Sequence, residues 1–381
     1  MMSKQTKEEY LNELKKKYRN AFKKEKTRLL DDFCDFTGNH RKYVITLINA
    51  PKAQVSERKE REKVYNQDVK NHCVILWKAA GEICAERLHP FIPSLLEKLI
   101  ECNEIRPDKD TKEKLLCISL GTLKNILGNE KERTFVKITG TTKPGSLLKS
   151  QIAVRYALWT ETDPGWCEVD TVSHCGDDPS GEFISSLNMV DISSGWSEQV
   201  AIWGKGELAT QEAIDEARNA LSFFLLGLDS DNGSEFINWH LFRYCKKEKI
   251  TFTRGRPYKK NDNAHVEQKN YTAIRQLVGY ERLDKKEQLD ILNDLYRNEW
   301  RLYINFFQPT MKLKEKIKDT KTGKTKRKYF KAKTPYQRLM EHPKIAKEQK
   351  KMLESTYKRL NPIKLQSEIE RKIKLLEKTL R

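Results

Sequence analysis

Three acids in this chain stand in settings where a carboxylate has chemistry to do. Asp170 lies in Cys-Glu-Val-Asp-Thr-Val, whose alternation predicts a strand; Asp231 opens Asp-Asn-Gly directly after a short apolar run; Glu267 lies in His-Val-Glu-Gln-Lys-Asn, inside a predicted helix. Oxygen donors delivered to one point by separate elements are what hard divalent cations such as Mg²⁺ or Mn²⁺ take up. Two such ions about 3.5–4 Å apart clamp the attacking and leaving oxygens of an in-line phosphoryl transfer. The chemistry open to this trio is metal-assisted breaking and exchange of phosphodiester bonds.

Polar neighbours surround the three acids. Asn232 and Asn263 lie beside the second and third of them, and His174 follows the first strand. All three are candidates to support the acids; His174 reads equally well as a loop histidine with no chemical part. Asp229 reads as a surface or supporting group, Asp191 as the acid closing a turn, and Asp177 and Asp178 as solvated loop acids. Asp262 precedes Glu267 by five residues, which turn a helix by about 500°, so the two side chains cannot both face one site. Its place in the polar run Lys260-Asn261-Asp262-Asn263 makes Asp262 a helix cap. Between Arg243 and Lys260 stand eight basic residues and one acid. Arg254, Arg256, Lys259 and Lys260 are the expected contacts to a phosphate backbone beside the acids. Lys246, Lys247 and Lys249 read as a solvated helix end, favoured by the helix dipole.

The elements that must position these groups follow from periodicity. Residues 166–172, 182–192 and 197–203 read as three strands. Residues 207–224 read as an amphipathic helix with Leu208, Ile214, Ala217, Leu221 and Phe224 on or near one face. A short strand over 225–229, a helix over 236–249, a strand over 250–253 and a helix over 263–279 complete the stretch. Three strands, helix, strand, helix, strand, helix define an α/β class: a mixed sheet flanked by helices.

That order resembles the ribonuclease H-like fold, and the acids resemble the catalytic core of integrases and transposases. The signature of that family is an Asp, then Asp-Asn-Gly, then a Glu after 35 intervening residues, and 35 residues separate Asp231 from Glu267 here. Asp-Asn-Gly-Ser-Glu-Phe, Arg256-Pro257-Tyr258 and the Val266-Glu267 pair fall where the family has its counterparts. Asp-Asn-Gly alone is ordinary turn chemistry; with the spacing and the element order it is specific. The resemblance covers residues 160–282 firmly and the whole chain more loosely, as a bacterial insertion-sequence transposase. It implies that Asp170 bridges two Mg²⁺ (or Mn²⁺) ions, that Asp231 completes one site and that Glu267 completes the other. Water would cleave the transposon end, and the freed 3′-hydroxyl would then attack target DNA. No covalent protein intermediate is needed, unlike in Tyr or Ser recombinases. The chain departs from the retroviral branch in having no His/His/Cys/Cys module, so no zinc is implied, and Lys259-Lys260-Asn261-Asp262-Asn263 replaces a Pro-Gln stretch.

Charge and flanking segments fit a polyanionic partner. The net charge of +19 is uneven: residues 311–381 carry 24 Lys and Arg against 8 acids, whereas residues 161–280 carry 12 against 19. Basic flanks suit double-stranded DNA, transposon ends and target alike, though a lysine-rich tail is also read as plain solvated surface. In residues 1–56 a helix bearing Tyr10, Leu11, Leu14, Tyr18 and Phe22 precedes a helix-turn-helix candidate. Gly38 is its turn, and Arg41 and Lys42 open its second helix, where a recognition helix meets DNA; the pair reads also as an ordinary helical bundle. Residues 64–128 form a second helical unit with Ser119-Leu120-Gly121 as a turn, read either as another DNA reader or as a spacer bundle. A linker over 129–160, the core over 161–282, and a helix with a basic region over 283–381 complete the division. No run reaches the ~20 apolar residues of a membrane span, so a cytoplasmic location is expected, and paired DNA ends call for a homo-oligomer. Two rivals remain open: a DNA-binding regulator with an inactive core, and a nuclease that hydrolyses without joining strands.

Overall fold

Gly38, at φ 71°, ends one helix of the N-terminal region and lets the next begin three residues later. The computed structural model describes residues 4–50, 64–128, 153–154, 163–256, 263–318 and 323–380. Met1–Val64 forms one compact unit, containing α1 (Lys4–Asn20), α2 (Lys23–Thr37) and α3 (Arg41–Asn49). Leu14, Leu30, Phe33, Val44 and Ile48 make its core. The first helix stops short of Phe22, which is 87% exposed instead of continuing the apolar face expected of it.

Tyr65–Arg381 is the second unit. It opens with α4 (Gln67–Ala79), α5 (Ala85–Leu88), α6 (Ile92–Glu101), α7 (Lys109–Cys117) and α8 (Leu120–Gly128). The turn between the last two is made at Ile118-Ser119, where the Ser119 hydroxyl accepts from the Thr122 amide at 3.1 Å. Gly121 therefore lies inside α8 and not in the turn: a serine cap starts a helix without needing a left-handed residue.

The sheet order is β1-β6-β5-β2-β3-β4, from β1 (Ala153–Val154), β2 (Trp166–Ser173), β3 (Ile184–Asp191), β4 (Ser197–Trp203), β5 (Gly227–Ser230) and β6 (Thr251–Arg254). The β2-β3-β4 meander is antiparallel, while β2-β5, β5-β6 and β6-β1 pair in parallel. Alternation divides each strand between two cores. Cys167, Val169, Leu187, Met189, Val200 and Ile202 pack with α9 (Glu207–Ala220) and α10 (Trp239–Lys247) through Ala213, Ile214, Ala217 and Leu241. Val172, Ile184 and Ala201 face the opposite way, onto α11 (264–278) and α12 (286–306). This is the mixed sheet of an integrase-type, ribonuclease H-like core, preceded by all-helical segments. α9 ends four residues earlier than its pattern predicts, and Phe224 is 82% exposed.

The chain then forms an antiparallel hairpin of β7 (Leu313–Lys318) and β8 (Thr325–Tyr329), exposed along its whole described length. α13 (Pro335–Glu341), α14 (Lys347–Arg359) and α15 (Pro362–Lys378) follow. Leu339, Leu353, Leu360, Ile369 and Leu376 bury themselves in the same core as Leu76, Leu95 and Leu123 of the early helices. The basic C-terminal region is thus two things, an exposed ribbon and a packed helical layer. No helix among the described residues is long and apolar enough to cross a membrane.

Candidate active site

Parallel pairing of β2 with β5 sets the first two acids. Val169 is opposite Ser230 at the end of the register, so the next residues, Asp170 and Asp231, stand side by side where the strands part. Both are half-buried. Asp170 Oδ1 accepts from the Thr171 amide and Oδ2 from Asn270 Nδ2, each at 2.7 Å. Asp231 Oδ1 accepts from the Gly233 amide at 2.8 Å. Burial and then the Asp231 charge push the Asp170 carboxyl up to about 7. Burial and then Glu235 push Asp231 upward as well. Two carboxylates that resist ionising together are a site lacking positive charge.

A side chain at Gly233 would crowd the neighbouring carboxylates. A Cβ there would lie 2.4 Å from Glu235 Oε2 and 3.0 Å from Asp231 Oδ1. Glu235 is buried; it accepts from Thr171 Oγ1 at 2.9 Å and lies 3.4 Å from Lys205 Nζ. Lys205 also pulls both aspartates back toward ionisation. Neither Glu235 nor Lys205 was picked out by sequence reasoning. The Ser-Glu-Phe that continues the Asp-Asn-Gly block was the available signal for Glu235; nothing local marked Lys205.

Glu267 is exposed on the first turns of α11, in its opening segment Ala264–Lys269. Asn270, which bonds Asp170, follows it by three residues and so shares its helix face. The N-terminus of this helix is fixed from β2: the buried Glu168 accepts from the His265 and Val266 amides at 2.9 Å each, satisfying two otherwise orphaned donors. Sequence reasoning missed Glu168, although it precedes Asp170 by two residues and shares its strand face. Among the described residues no three His, Cys, Asp or Glu side chains converge as a metal site. The aspartate pair is brought together, and Glu267 is carried by the adjoining helix without joining it. An oxygen-only pair under mutual repulsion fits a hard divalent cation.

The other expected residues are placed as follows. Arg254 is buried and donates to Asn232 Oδ1 at 2.8 Å, while Asn232 Nδ2 donates to the Gly255 carbonyl at 3.0 Å, so this pair braces the strand ends. Arg256 is half-buried, and Lys259, Lys260 and Asp262 lie outside the described residues. Asn263 is buried at the start of α11, its carbonyl accepting from the Glu267 amide at 3.0 Å. His174 is fully buried, 2.8 Å from Ser186 Oγ, which is 2.9 Å from the Tyr296 hydroxyl. Burial holds its pKa down at about 3, so this histidine is a neutral core residue. Asp191 closes its turn by accepting from the Gly165 and Ser194 amides. In the N-terminal unit Arg41 is paired with Asp31, and Lys42 is exposed.

The strand order is that of a mixed sheet of the ribonuclease H-like, integrase-core type. The solved HTLV-2 integrase catalytic core, in complex with magnesium, is 19% identical with a TM-score of 0.29, covering 42% of this chain and 93% of that one. The BIV integrase catalytic core is 19% identical with a TM-score of 0.30, covering 45% and 91%. At such scores the fold assignment rests on the strand order above and not on the overlays. No family model matches the chain. The uncharacterized protein y4rM of Sinorhizobium fredii (strain NBRC 101917 / NGR234) is 33% identical over 322 residues, 82% of this chain and 89% of that protein. The chain belongs to the same family as y4rM.

Proposed function

We propose that the chain is a DDE transposase, a polynucleotidyl transferase that cleaves and joins DNA strands at transposon ends. One observation carries the reading: Asp170 and Asp231 meet at the ends of adjacent parallel strands, beneath a helix anchored by Glu168 and bearing Glu267. Asp170, Asp231 and Glu267 would hold two Mg²⁺ or Mn²⁺ ions. When bound, the ions would activate water or a 3′-hydroxyl and stabilise the leaving oxygen. The protein's own part is placement. Thr171 and Asn270 orient Asp170, Gly233 orients Asp231, and the Glu168 clamp sets the height of Glu267 above them.

A direct test uses the full-length protein, Mg²⁺ and a labelled duplex spanning the inverted repeats beside its coding sequence. Cleaved strands and joined products longer than the substrate are expected. Cleavage without joining would make the protein a nuclease, and binding with neither would make it a regulator with an inert core; either result overturns the proposal.

DNA contact is proposed for Arg256, Lys259, Lys260 and Lys42, and for the exposed hairpin. Its strands bring Lys314, Lys316, Lys318, Lys326, Arg327 and Lys328 together against one acid, Glu315. A two-stranded ribbon fits a major groove, and each phosphate neutralised adds about 0.9 to the slope of log affinity against log salt. Changing Lys316, Lys318, Lys326 and Arg327 to Gln should lower that slope by about 2–4 while Tm stays unchanged. An unaltered slope would make the ribbon ordinary solvated surface. Deleting 311–381 outright is a poor test, because it strips buried leucines from the core.

A further inference from the structure

A row of three amides runs across the sheet and ends on Asp170. Gln199 Nε2 donates to Asn188 Oδ1 at 2.9 Å, Asn188 Nδ2 to Asn270 Oδ1 at 2.8 Å, and Asn270 Nδ2 to Asp170 Oδ2 at 2.7 Å. The register makes this possible, since Asp170 is opposite Asn188 and Asn188 opposite Gln199. Asn188 is 0% and Gln199 3% exposed, on a sheet face whose other positions include Val172, Ile184 and Ala201. Leucine would pack there without the cost of burying amides, and among the described residues Gln199 Oε1 has no hydrogen-bond partner. Fold stability does not account for the row.

Its polarity is fixed from one end. An ionised carboxylate only accepts, so Asn270 must present its NH₂ to Asp170 and its oxygen to Asn188, which must in turn do the same. The helix changes pitch at this point. A π turn, Asn270–Arg275, begins at the residue that makes the contact, and such wide turns, mostly single-turn insertions in α-helices, are frequent at functional sites.

We propose that Asn270, backed by Asn188 and Gln199, is a positioning residue that fixes the plane of the Asp170 carboxylate for a divalent cation. With Oδ2 held by Asn270 and Oδ1 by the Thr171 amide, the carboxylate cannot swing. Its remaining lone pairs are aimed by the protein before the cation arrives. This rests on the reading of Asp170 as a metal ligand.

The test measures Mn²⁺ affinity of the full-length protein by paramagnetic resonance of the free ion, alongside Tm. The double variant Asn188→Leu/Gln199→Leu replaces both distal amides with groups of similar size and leaves the Asn270–Asp170 bond possible. Partners one step behind a metal ligand typically change affinity by about 10–100-fold. Mn²⁺ binding is expected to weaken about 10-fold in the double variant with little loss of Tm, because exchanging both partners for apolar groups is nearly neutral. Asn270→Ala, at a half-buried helix position, should weaken it at least as much. Wild-type affinity in Asn270→Ala, where Asp170→Asn binds no Mn²⁺, overturns the positioning role and leaves the metal reading intact. Mn²⁺ affinity that Asp170→Asn does not alter overturns both.

Discussion

Asp170→Asn and Asp231→Asn should each lower DNA cleavage by about 10³-fold or more, yet leave the metal-free protein at least as heat-stable as the wild type. The loss follows from removing a cation ligand, worth several kcal/mol in the transition state, at tenfold per 1.36 kcal/mol. The stability follows from electrostatics. Burial and Asp231 raise the Asp170 carboxyl from 3.8 to about 7. A folded-state pKa above the unfolded one means that the native protein holds the extra proton between those values, so stability falls as pH rises through that window. Without metal, Tm should therefore decline from about pH 4 to about pH 7 and level off above, and Mg²⁺ should restore it at neutral pH. In Asp170→Asn the decline should flatten, with Tm near neutral pH higher by about 2 °C, equivalent to ~1 kcal/mol. Thermal melts in EDTA across this range decide the matter: equal slopes in variant and wild type would mean that the two carboxylates do not strain one another.

The strands were legible because both sheet faces are buried and alternation had to match two cores. The third strand, Ser197–Trp203, is read to the residue, and β2 and β3 to within two. What composition could not show was where packing ends a helix. α9 stops at Ala220 because the following residues turn back to pair Gly227 beside Trp166, which leaves Phe224 outside. The aspartate pair was legible because strand ends and a turn motif are local. Glu168, Lys205, Glu235 and the amide row were not, since each acts through a partner distant in sequence: Glu168 caps a helix 97 residues on, and Gln199 joins Asn188 only through register. The burial of the C-terminal helices was not legible for a similar reason. Its lysines dominate the count, while a leucine or isoleucine every turn or two carries the burial.

The sharpest remaining question is which glutamate completes the site, and the expected answer is Glu267. Two candidates flank the aspartates. Glu235 is the nearer to Asp231, across Gly233, but its carboxylate is already engaged by Thr171 and Lys205, and it is buried. A group so engaged would have to surrender both contacts to serve a cation. Glu267 is exposed, sits one turn before Asn270 and is held at its height by the Glu168 clamp. Glu267→Gln should therefore abolish cleavage and joining, by about 10³-fold or more, while Tm moves by no more than about 1 °C, as for most exposed substitutions. Binding to the end duplex, read by fluorescence anisotropy, should be nearly intact. Glu235→Gln keeps an acceptor for Thr171, loses only the ion pair to Lys205, and should retain cleavage within about tenfold. Asp262→Asn should retain both activities, because the proposed third carboxylate is Glu267. Activity that survives in Glu267→Gln and disappears in Glu235→Gln would move the third carboxylate to the Asp-Asn-Gly loop, and the 35-residue spacing would then carry no meaning in this chain.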